Sequence, residues 1–88
     1  MVKIKQGFIL REVAGSYIVV VVGERAKNFN AIIKLNETGA LLWKGIESGL
    51  DEQGLIQKLL EEYDTDKDTA QNDVNRFIEK LKEAGLAE

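Results

Sequence analysis

Three observations place this chain in the α+β class, as a three-stranded antiparallel sheet followed by three helices. β-branched and apolar residues fall in short runs up to Leu35, and beyond it the apolar period changes from two to 3.6. The 88 residues contain no proline, low-complexity tract or repeat, so they supply one domain with one modest core.

Each element has its own signal. Strands are expected at about 7–13 and 17–22, joined by Ala14-Gly15-Ser16, which is short enough for a hairpin turn. A polar stretch from Gly23 to Asn30 then forms an exposed loop, and Ala31-Ile32-Ile33-Lys34-Leu35 has the composition and length of a third strand. Asn36 is placed to cap a helix over about 37–48, with Glu37 in its first turn, an apolar face of Leu41, Leu42, Trp43 and Ile46, and a stop at Ser48-Gly49. Asp51 caps the next, about 52–63, in which Leu55, Ile56, Leu59, Leu60 and Tyr63 recur at helical spacing. Gly54 is a weak helix former inside it, at a cost of up to about 1 kcal/mol relative to alanine. Asp66 or Thr65 starts a third helix, about 66–84, where Ala70, Val74, Phe77, Ile78 and Leu81 share one face, and Gly85 suits the left-handed position past its end.

Composition removes most catalytic classes. With no cysteine and no histidine, thiolate and imidazole zinc sites, cysteine nucleophiles and every Ser-His-Asp arrangement are excluded. The eight glycines are scattered singly and form no phosphate-binding loop, and acids such as Glu61-Glu62 lie on a polar helix face with no sign of an apolar pocket, so they read as solvated surface. Asp64, Asp66 and Asp68 have the opening spacing of a calcium loop, but Thr69 stands where its glycine belongs and Asn75 where its bidentate acid belongs. The reading is therefore a non-enzymatic binding domain with no cofactor and no metal. The absence of cysteine and of a signal-peptide pattern at Met1-Val2-Lys3-Ile4-Lys5 points to the cytoplasm, and Ile18 to Val22 is far too short to span a bilayer.

Charge narrows the partners. The net charge of -3 divides into a basic first part, to residue 35, and an acidic remainder. A small sheet with three helices also describes a winged helix, yet the third helix carries Lys67, Arg76, Lys80 and Lys82 against Asp66, Asp68, Asp73, Glu79 and Glu83, a balance that repels phosphate. A winged-helix DNA-binding regulator is the rival reading, and the electrostatics oppose it.

The sheet is the most informative segment. Tyr17 to Val22 is apolar on both alternating faces, and three helices cannot cover both sides of a sheet in so short a chain. Ala31 to Leu35 carries a single charge, Lys34, to guard an edge, so this strand is able to accept a guest peptide through its backbone. Two other arrangements meet the same pattern: the strand is interior to the sheet, or it pairs with its copy in a homodimer.

The segments Gly7-Phe8-Ile9-Leu10-Arg11-Glu12-Val13, Asn30 through Leu35-Asn36-Glu37-Thr38-Gly39 to Trp43, Glu62 to Asp66, Asp73-Val74, Phe77 to Leu81, and Ala84-Gly85-Leu86 resemble the PqqD family over nearly the whole chain. The Leu-Asn-Glu-Thr-Gly stretch followed by Trp43 is the most specific part. The resemblance implies a winged-helix-like domain that recognises the leader of a ribosomally made precursor peptide for a modifying enzyme, often a radical-SAM protein. In that family the leader adds to the third strand beside the third helix. Carried onto this chain, the edge is Ala31, Ile32, Ile33, Lys34 and Leu35, and the facing wall is Asp73, Arg76, Phe77 and Lys80. No nucleic acid, membrane or cofactor is implied.

Overall fold

The computed structural model describes residues 2–27 and 33–88. Its order is β1 (Phe8–Val13), β2 (Ser16–Val21), a 3₁₀ turn (Gly23–Lys27), β3 (Ile33–Leu35), α1 (Glu37–Glu47), α2 (Glu52–Glu62) and α3 (Lys67–Glu83). The expected three-stranded antiparallel sheet followed by three helices is the fold observed.

The hairpin is tighter than the sequence suggested. Ala14 and Gly15 both have positive φ, 52° and 81°, as a two-residue type I′ turn requires, and Ser16 joins β2 opposite Val13. Val22, expected in the second strand, lies beyond its end, donating its backbone N–H to the Gly7 carbonyl at 2.8 Å. The polar stretch after β2 begins as a 3₁₀ turn in which Lys27 and Glu24, three residues apart, pair at 3.3 Å on the surface. Of the expected third strand, Ile33 to Leu35 is observed, while Ala31 and Ile32 lie outside the described residues.

All three helices start on the expected caps. The side chains of Asn36, Asp51 and Asp66 accept the backbone N–H of Gly39, Gly54 and Thr69 at 2.7, 2.8 and 2.8 Å. Each takes up a donor that the first helical turn leaves without an intrahelical partner. Ser48, Tyr63 and Ala84, expected inside the helices, are their C-terminal caps. Gly49 and Gly85 follow the first and the third at φ of 95° and 82°. Gly54 has a packing reason: a Cβ there would approach Leu50 Cβ and Cδ2 to 3.2 Å.

Register assigns the two faces of the sheet. Phe8, Leu10, Val19, Val21, Ile33 and Leu35 share one face and belong to or pack on the core with Leu42, Trp43, Leu55, Leu59, Val74 and Ile78. Ile9, Arg11, Val13, Ile18, Val20 and Lys34 fall on the other face, where Ile9 is 36% exposed and Val13 54%. The surplus of β-branched residues therefore ends on an uncovered face, because the helices occupy one side only. The chain ends add a feature that periodicity does not reveal. Ile4 bridges Ala87, Lys5 donates its N–H to the Leu86 carbonyl at 2.9 Å, and Val2, Leu86 and Ala87 are buried in the core.

Candidate functional site: an open strand edge beside a groove

The strand order is β1-β2-β3, so β2 is central and β3 flanks the sheet. β3 pairs with β2 alone among the described strands, through Tyr17↔Leu35, Ile18↔Lys34 and Val19↔Ile33. Its inward residues, Ile33 and Leu35, are half-buried against the core, while Lys34 is exposed. β3 and α3 residues line a common cleft.

α3 forms the far wall because its two faces differ. Ala70, Val74, Ile78 and Leu81 are buried, whereas Asp73, Arg76 and Lys80 are exposed and Phe77 lies between, half-buried. A cleft of about 320 Å³ opens between β3 and α3, with Ile33, Lys34, Leu35, Phe77, Lys80 and Leu81 in its lining. A neighbouring cleft of about 270 Å³ is lined by Asp73, Arg76, Phe77 and Lys80 together with the start of α1. Phe77, Lys80, Asn36 and Gly39 border both, so the two adjoin, together forming a groove. Every described residue picked out for the strand edge and the helix wall thus lines this groove; Ala31 and Ile32 lie outside the described residues.

Sequence reasoning missed the floor and one end. Gly39 is buried where α1 starts, and a Cβ on it would stand 3.1 Å from Asn36 Oδ1, 3.3 Å from Phe77 Cε1 and 3.4 Å from Leu35 Cβ. A side chain there would press on the groove wall. The signal was present in the Leu-Asn-Glu-Thr-Gly stretch, whose glycine stands in the first turn of α1, where a better helix former is usual. Leu86, at the other end, reaches the cleft only because the chain turns back at Gly85.

The charges of the groove are open to a ligand. Among the described residues, Lys34, Asp73, Arg76 and Lys80 make no ion pair within 4 Å; the pair observed is Lys27 with Glu24. The aspartates with calcium-loop spacing do different work: Asp66 is committed to the α3 cap, and its carboxyl is held below its ordinary pKa by the backbone N–H and side-chain hydroxyl of Thr69. Trp43 is wholly buried, a core residue as its place on the apolar face of α1 suggested. The arrangement offers backbone donors and acceptors, an apolar slot and unpaired charge.

Comparison with known proteins agrees with this fold. A lasso peptide synthetase B1 structure complexed with its leader peptide superposes with a TM-score of 0.82 at 21% identity, covering 99% of this chain and 96% of that one. The TbiB1 structure in complex with the TbiA(beta) leader peptide gives 0.81 at 19% identity, covering 98% and 94%. At these identities the likeness establishes the fold. No curated protein sequence matches the chain. The model of the family described as coenzyme PQQ synthesis protein D (PqqD) matches residues 17–87, and the chain belongs to the PqqD family.

Proposed function

We propose that this protein is a non-catalytic recognition module that binds the leader of a ribosomally made precursor peptide and presents it to a separate modifying enzyme. The observation that carries the reading is β3, a strand that pairs with β2 alone among the described strands and lines a cleft shared with α3. An extended leader adds to β3 as a fourth strand by backbone hydrogen bonds, which supply affinity with little sequence demand. Its alternate side chains enter the groove against Phe77, and there the choice among leaders is made. Both superposed structures were solved with leader peptides, and membership of the PqqD family supports the same role.

The module acts by proximity. Holding leader and enzyme together makes modification of the attached core peptide nearly intramolecular, with an effective concentration that can reach millimolar. The enzyme expected from the family resemblance is of the radical-SAM type, working in the cytoplasm. Among the described residues, no helix is long and apolar enough to cross a membrane.

The test is a titration, followed by fluorescence anisotropy, with the leader of a short precursor sought among the neighbouring genes. Arg76→Ala and Lys80→Ala should each weaken binding by about two- to fivefold, as partly exposed charges do. Ile33→Pro, which places a ring and no N–H in the edge strand, should abolish it. Unchanged affinity in all three would remove the groove from the function.

A further inference from the structure

The groove is two wells in a row, and their chemistry differs. The well nearer the carboxyl end of α3 is mainly apolar, lined by Ile33, Leu35, Phe77, Leu81 and Ala84, although Lys34 and Lys80 also border it. The adjoining well is charged: Arg76 and Lys80 stand against Asp73, at the amino-terminal turn of α1, whose backbone field is positive. Two cations therefore face one acid, and among the described residues neither cation is neutralised by an ion pair.

The spacing of the wells follows from the helix. α3 contributes Phe77, Lys80, Leu81 and Ala84 to the first and Asp73, Arg76, Phe77 and Lys80 to the second. The two sets have the same helical pattern, displaced by one turn of four residues, which is about 6 Å at the α-helical rise. Two residues of an extended strand span about 6.6 Å, and side chains two apart point to the same face. A strand lying along α3 therefore places one side chain in the apolar well and its next-but-one neighbour in the charged well.

Resting on the leader-binding reading above, we infer that the groove selects extended peptides in which a large apolar residue is followed or preceded, two positions away, by aspartate or glutamate. Arg76 and Lys80 set the second choice. An acidic side chain there gains two cationic partners and the α1 terminus, whereas a basic one meets like charge. Asp73 limits the preference to a single acid.

The experiment selects short random peptides displayed against the wild-type protein and against the double variant Arg76→Glu, Lys80→Glu; both positions are exposed, and far-UV circular dichroism checks that the variant is folded. Wild-type pools should converge on an apolar residue with an acid two positions away. The double variant should instead enrich lysine or arginine at that place and bind the wild-type-selected peptides at least about tenfold more weakly. Convergence on apolar residues without the acid, or the same acid in both pools, overturns the inference and leaves leader binding standing. The underlying reading has its own control: selected peptides are remade with N-methylated backbone on alternate residues, which removes strand pairing without altering the protein. Binding that survives methylation in both registers, or no convergent pool at all, overturns the groove as a strand-addition site and the inference with it.

Discussion

Gly39 and Phe77 meet at the wall of the groove, and the missing Cβ between them is a functional dimension as much as a packing one. In Gly39→Ala the new methyl would stand 3.1 Å from the capping Asn36 Oδ1 and 3.3 Å from the Phe77 ring, a crowding set against a gain in helix propensity of up to about 1 kcal/mol. The expected outcome is a small loss of stability, from the disturbed cap, together with weaker leader binding, with chemical denaturation and anisotropy as paired measurements. Equal affinity would show that the ring need not hold its place. At this scale the legible residues were those whose role is local. Asn36, Asp51 and Asp66 cap their helices through bonds three residues along the chain, so spacing alone identified them. The reasons for Gly39 and Gly54 lie in the approach of Phe77 and Leu50, which no local pattern encodes.

Among the elements, α3 has the clearest division of labour, with one face in the core and the neighbouring flank on the groove. Its capping acid gives it a pH dependence. Asp66 is held below its ordinary value of 3.8 by the bonds from Thr69, so the folded state favours the charged form. The stabilisation is present at neutral pH and is lost as acidification passes below about pH 4, through the lowered folded-state value. Denaturation midpoints measured by far-UV circular dichroism from pH 7 downward should fall less steeply for Asp66→Asn, whose amide oxygen caps without titrating. Identical slopes would assign the acid sensitivity elsewhere. The elements with strong periodicity, all three helices and the hairpin, could be read to within a residue or two. The 3₁₀ turn at Gly23–Lys27 could not, since its polar residues have neither helical nor strand period.

Across the whole molecule, core formation depends on the chain returning to its start. Val2, Leu86 and Ala87 are buried, and the Ile4–Ala87 bridge ties the two ends together. Removing residues 1–5 uncovers Leu86 and deletes the packing of Val2, a loss of about 2 kcal/mol of apolar burial. For a domain of this size that corresponds to a fall in Tm of roughly 10 °C, measurable by thermal circular dichroism. An unchanged Tm would make the clasp incidental. This pairing was invisible in the sequence because it joins a short polar-apolar segment to one more than eighty positions away. The excess of apolar residues in Tyr17–Val22 did foretell a sheet with one bare side. The clasp also fixes where attached cargo begins. Ala87, which the clasp holds, directly follows Leu86, a residue of the cleft lining, so a fluorophore carried on the carboxyl end starts near an incoming strand and can report its arrival.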